Sequence, residues 1–389
     1  MRALQQNAST LERFTDILAD AKSMNPKVFV AHCVIGTIVA FRAASAQSSI
    51  VEVPDAIACK SCRIERGLSI VLKSNQKGFS VQPTDVALDS RGRIWVAEEG
   101  VGVRVFRSSG EFEADVGRKG SGPDEYQEPF GFLTLPSDSM LVLDSRSNVA
   151  HVVSPQLRSV RRVRLTGFMF PLLPLSWPSL VAATGMISTK ASIDQPLHLV
   201  AFAGADVAVT KSVRFPADPP DRAHPTSLFV RLAHARAGGF WTADQFAYRL
   251  TRWSPEGAPI QTLVRKPSWF AGRSMDWIGN PSTPAPPRII AVVEDADGLI
   301  WVFHQVASPR WRDGWPTQRT TGEVATRQIA FERLFTTRIE VIDPKSARVV
   351  AETALDAFVP TVLSDGRAVV YATDDNDVRL SVVSFRLKR

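Results

Sequence analysis

The stretch Thr84–Gly117, TDVALDSRGRIWVAEEGVGVRVFRSSGEFEADVG, holds four short apolar runs separated by turn signals. Val86 and Leu88 alternate with Asp85 and Ala87, the period of a half-buried strand. Ser90-Arg91-Gly92 makes a turn, because glycine takes a left-handed backbone at little cost. Arg93–Ala97 reads as a second strand, Val103–Phe106 as a third and Glu113–Val116 as a fourth.

The turn and second strand of this unit return along the chain. Gly92-Arg93-Ile94-Trp95-Val96 matches Gly298-Leu299-Ile300-Trp301-Val302 closely. Gly238-Gly239-Phe240-Trp241-Thr242 and Gly366-Arg367-Ala368-Val369-Val370 match in pattern, and Asp138-Ser139-Met140-Leu141-Val142 matches with aspartate in the turn. Gly185-Met186-Ile187-Ser188-Thr189 is the weakest copy. The anchors step by 46 residues at first and by 68 at the end. A period of about 40–50 residues built from four strands marks a β-propeller blade. The expected fold is therefore all-β, a six-bladed propeller over residues 47–389. The last unit lacks an outer strand, and Cys62–Leu72 is predicted to supply it and close the ring, which removes exposed sheet edges.

Residues 1–46 read as a leader. Within Met24–Gln47, Lys27 is a basic start, Val28–Phe41 a short apolar run and Ala44-Ser45-Ala46 a cleavage site. The segment before Met24 stands outside this secretory pattern, and Met24 is read as the true start. The apolar run is short for a bilayer span. Export to the periplasm or the cell exterior is expected, with no membrane span in the mature chain. The formal charge of +7 is spread without long basic runs, so no nucleic-acid partner is expected. An anionic envelope polymer is the more sensible acidic partner, and a monomer is expected. Cys59 and Cys62, in CKSC, lack the following histidine of a haem site and the further ligands of a zinc site. In an oxidising compartment they are expected to form a local disulfide.

Thr84–Gly117 resembles an NHL-type repeat, with Pro83, Val86, Asp89, Gly92, Ile94 and Val96 at matching positions and Glu98 in place of the usual aspartate. Gly117–Pro129, GRKGSGPDEYQEP, is similar to a glycine-rich stretch of the exported bacterial six-bladed propeller family, with Asp124 and Tyr126 as departures. CKSCRIE at 59–65 and RLFTTRIEVIDP at 333–344 also resemble that family. The resemblance implies architecture and leaves the activity open. Gly117–Pro129 could also be a phosphate-cradling loop, but no helix follows its glycines. It reads as the connection between two blades.

Function is expected on the face carrying the long connections, with inserted loops expected at 166–178, 216–226, 268–287 and 307–335. The inserted loops are rich in tryptophan and arginine, and Trp269, Trp277, Trp311, Arg312 and Trp315 are the candidate ligand-binding residues, suited to a sugar, a peptide or an anionic group. The second strands end at Glu98, Asp144, Asp244 and His304, a candidate ring for a divalent metal. Two functions follow. The first is a binding module that grips a ligand, peptide or envelope protein and needs no cofactor. The second is a metal-dependent hydrolase or lyase at the channel mouth, as the sugar lactonases and amidating lyases of this architecture have. The sequence contains neither a G-x-S-x-G nucleophile elbow nor an HExxH motif.

Overall fold

The computed structural model describes residues 49–389 apart from 75–78, 80–82, 99, 123, 136, 166, 177–179, 188–196, 205, 214, 216–229, 271–281, 316–328 and 375–376. The expected leader and Trp277 lie outside the described residues.

The chain enters with β1 (Ser49–Glu52) and β2 (Arg63–Val71). The first antiparallel sheet follows as β3 (Asp85–Leu88), β4 (Ile94–Glu98), β5 (Gly102–Phe106) and β6 (Phe112–Val116). A small parallel ribbon, β7 (Arg118–Lys119) with β8 (Glu125–Tyr126), leads to the second sheet, β9 (Pro129–Thr134), β10 (Met140–Asp144), β11 (Val149–Val153) and β12 (Ser159–Arg164). The third is β13 (Gly167–Ser176), β14 (Leu180–Ile187), β15 (Leu197–Ala203) and β16 (Asp206–Val213). The fourth is β17 (Val230–His234), β18 (Phe240–Asp244), β19 (Arg249–Trp253) and β20 (Pro259–Val264), with β1 added in parallel outside β20. The fifth is β21 (Arg288–Glu294), β22 (Ile300–Ala307), β23 (Phe335–Asp343) and β24 (Arg348–Leu355). The last holds β25 (Phe358–Val362), β26 (Ala368–Asp374) and β27 (Asp377–Lys388), and β2 pairs with β27 as its outer strand.

The first strands touch in series, β3 on β9, β9 on β13, β13 on β17, β17 on β21 and β21 on β25, and β25 touches β3. Sheets arranged radially about their first strands make a β-propeller. The middle strands β4 and β5 are buried along their whole length, because each sheet has a neighbour on both faces. The core is accordingly divided into wedges between sheets. Trp95 and Phe132, with rings 6.2 Å apart, belong to the wedge between the first two sheets.

The turns explain the repeated sequence pattern. Asp89 Oδ1 accepts the amides of Arg91 and Arg93, and Oδ2 accepts the indole of Trp95. Asp295 repeats this with the amides of Asp297 and Leu299 and the indole of Trp301. One carboxylate thus closes the turn and satisfies a buried indole donor. The fourth sheet has Ala235 at the aspartate position. There Glu294 reaches over from β21, and its Oε2 accepts both the Trp241 indole and the Arg236 amide.

Two sequence expectations are corrected. Gly185 was expected in the turn opening a second strand, but β14 begins at Leu180, so Gly185 lies inside it. Residues 166–178 were expected to be an inserted loop, and Gly167–Ser176 is instead the innermost strand. The prolines that suggest a loop sit on an edge strand whose register shifts between Met169 and Leu172 and between Pro174 and Ser176. An inner edge with such irregularities tolerates proline.

Candidate functional site at the mouth of the channel

The first strands enclose a cavity of about 430 Å³, and every one of them contributes to its wall: Asp85 from β3, Phe132 from β9, Phe170 from β13, Arg231 from β17, Ile290 from β21 and Thr361 from β25. Gly131 makes room for this wall. A Cβ there would come within 2.6 Å of the Phe170 ring, so only glycine lets that ring lie against β9.

One end of the cavity holds Asp85 and Arg231, with Arg288 near Arg231, while His234 and Glu294 line the other end. Asp85 opens β3, Arg231 is second in β17 and Arg288 opens β21. These are the strand ends reached by the connections between sheets, so the three residues share the loop-bearing mouth. Asp85 Oδ2 accepts the Phe132 amide at 3.0 Å. Burial pushes its carboxyl up to about 7, against the opposing pull of the Val86 and Phe132 amides and the charge of Arg231. Burial also lowers the Arg231 guanidinium, which Asp85 partly offsets. The Arg231 Nε is buried and meets no acceptor among the described residues. Arg288 is fixed by a 2.7 Å bond from its Nε to Gln305 Oε1 and lies 4.6 Å from the Phe335 ring centroid. Burial, with Arg231 beside it, draws Arg288 down to about 9. Asp85 and Arg231 thus act on one another as charges, and Arg288 stands near Arg231.

The residues proposed from sequence as metal ligands are each engaged within or between sheets. Glu98 pairs with Arg104 at 3.1 Å on the neighbouring strand. Asp144 accepts the amides of Gln127, Glu128 and Arg146, and so ties the end of the Gly117–Pro129 connection to β10. Asp244 accepts the amides of Phe246 and Ala247. His304 is fully buried with its Nε2 3.5 Å from Glu340 Oε2. The four are not brought together, and the described residues contain no group of three or more side chains placed to hold a metal ion.

Of the tryptophans expected to bind ligand, the three that are described, Trp269, Trp311 and Trp315, are turned inward. Trp269 packs edge-on to His304 and Tyr248, and the Arg338 guanidinium lies 4.4 Å from its ring centroid. Trp311 is 7 % exposed in the wedge between the first and last sheets, and Trp315 packs against the same cluster. Arg312 is exposed, its guanidinium 4.5 Å from the Trp311 centroid. Cys59 and Cys62 form a disulfide. Sequence reasoning missed Asp85, Arg231 and Arg288. The available signal was a charged residue within the first two positions of a mostly apolar inner strand.

No known family model matches this chain, and no curated protein matches it in sequence. Solved structures do resemble it. A member of the DUF4221 family from Bacteroides vulgatus superimposes with a TM-score of 0.59 at 11% identity, over 84% of this chain and 99% of that one. A candidate exported protein from Bacteroides fragilis superimposes with a TM-score of 0.54 at 12% identity, over 88% of this chain and 100% of that one. The likeness is one of fold. No helix among the described residues is long and apolar enough to cross a membrane.

Proposed function

We propose that this protein is an exported six-bladed propeller of NHL-like repeats, closed by β2, that works as a binding module. Its ligand docks on the loop-bearing face and enters the mouth of the channel. The observation that carries this reading is the cavity itself, where largely apolar walls lead to a mouth lined by Asp85 and Arg231, with Arg288 near Arg231. Concave, mostly apolar sites with a few convergent polar groups are where ligands bind. The secretory pattern of residues 24–47 supports export, and the resemblance to a candidate exported protein agrees with it.

The test is a panel of sugars, short peptides and small organic acids, screened by melting temperature and mapped by hydrogen exchange. A ligand should slow exchange in β3, β17 and β21. Protection confined to outer strands, or no stabilising compound in the panel, would count against the reading.

A further inference from the structure

The mouth of the channel is electrostatically lopsided. Arg231 is a half-buried cation whose buried Nε has no acceptor among the described residues, and an unmet buried donor is costly to keep. Asp85 acts on Arg231 across the channel as a charge, and no ion pair joins the two. Asp85 instead directs Oδ2 at the Phe132 amide. Arg288 adds a second cation, held in place by Gln305 and Phe335. The other inner strands bring no further ionisable side chain to this end, since β9, β13 and β25 contain none in sequence. On β17 and β21 the remaining ionisable residues, His234 and Glu294, close those strands at the far end. Below the charges the wall is apolar, with Phe132, Phe170, Leu172, Ile290 and Val292.

We infer that the mouth binds an organic anion, with an oxyanion headgroup on Arg231 and an apolar body along the channel, and that Asp85 is an internal carboxylate competing for the same cation. The inference rests on the binding reading above. A guanidinium suits the planar, multidentate contacts of a carboxylate or similar oxyanion. When Asp85 is ionised, it repels the incoming anion and satisfies part of Arg231's field. When Asp85 carries a proton, both effects vanish. Binding and protonation of Asp85 are therefore linked, and by reciprocity the anion draws a proton onto the site.

The experiment uses the purified exported protein with benzoate as probe and benzyl alcohol as its uncharged counterpart, followed by titration calorimetry. Benzoate is ionised at both about pH 5.5 and about pH 8.5, so only the protein titrates between them. Wild type should bind benzoate about tenfold more weakly at the higher pH. Asp85→Asn should bind at both pH values as wild type does at the lower one. Arg231→Gln should lose at least about tenfold at both, with partial recovery in Arg231→Lys. Near pH 7, binding to wild type should take up protons, seen as a heat that depends on the buffer, and Asp85→Asn should show none. Asp85→Asn keeps an acceptor for Phe132, so it decides the matter even if Arg231→Gln does not fold. A benzoate affinity indifferent to pH and to Asp85→Asn overturns the inference. If benzyl alcohol binds as well as benzoate, the anion falls and the binding module stands. If neither probe binds, the inference falls, and the binding module is decided by the wider panel above.

Discussion

Glu340 offers a stability measurement whose size can be worked out in advance. Its buried carboxylate takes a 2.5 Å bond from Arg265 Nη1 and a short bond from the Tyr248 hydroxyl. His304 Nε2 and Arg338 Nε each stand 3.5 Å away. Burial opposes ionisation of Glu340, but contacts with His304, Arg265 and Tyr248 outweigh it and pull the carboxyl from 4.5 down to about 2. At about 1.36 kcal/mol per tenfold step in acidity, this corresponds to roughly 3 kcal/mol at neutral pH. Burial also lowers His304 and favours its neutral form, which reduces its share and leaves about 2–3 kcal/mol. Glu340→Gln preserves size but leaves the buried Arg265 only the exposed Asp55 carboxylate, 3.5 Å from its Nη2, and breaking a buried pair costs about 3–5 kcal/mol. The two routes agree on a loss of about 3 kcal/mol at pH 7, read from urea unfolding. A depressed carboxyl stabilises above its ordinary value near 4.5, and that contribution is lost as pH falls through about 2. Wild type and variant should therefore converge in acid. Equal stability at pH 7, or a gap that persists unchanged near pH 2, would refute the reasoning.

Glu294→Ala should lower stability by about 1–3 kcal/mol, because the Trp241 indole and the Arg236 amide lose their shared acceptor; unchanged unfolding would remove Glu294 from that role. Gly131→Ala should cost about 1–3 kcal/mol by driving a Cβ into the Phe170 ring, and Phe170→Leu in the same chain should recover part of it, as a double-mutant cycle would show. Chelator should leave the melting temperature unchanged, since Glu98, Asp144, Asp244 and His304 already hold protein partners. A fall of several degrees together with a stoichiometric metal would return those residues to a metal site. If residues 1–46 are a cleaved leader, as the secretory pattern predicts, the intact mass of the mature protein should match a chain that starts at Gln47 and lacks two hydrogens for the disulfide; a mass that includes the leader would refute this.

The architecture was legible where local chemistry repeats. Gly92 and Gly298 have positive φ in turns closed by Asp89 and Asp295, so a backbone requirement is written as a sequence motif. Where that local code is replaced by a neighbour, it disappears from the sequence: Glu294 serves the fourth sheet from the fifth, and nothing near Ala235 announces it. The third sheet was misread because Pro171 and Pro174 signal loops, while the inner edge of a sheet accepts them. The mouth of the channel was illegible for a further reason. Asp85, Arg231 and Arg288 come from three different sheets and have no common spacing, and only the radial arrangement of the inner strands brings them near one another. His304 was found in sequence, but its partner Glu340 was not, because that pairing joins β22 to β23 across an insertion.

The segment from Ser49 to Lys73 lies against four sheets in turn. β1 borders β20, Ile57 bridges to Val349 at the rim of the fifth sheet, β2 borders β27, and Lys73 bridges to Glu111 in the first. Translation makes this segment before any strand it covers. Until β20, β24 and β27 have been synthesised, three of its four docking sites do not exist, so the earliest described part of the chain is among the last to be seated. Such distant pairings form slowly. A chain that cannot seal itself until β27 is available stays unlatched until then, the condition in which a polypeptide can be threaded through a narrow pore before it locks.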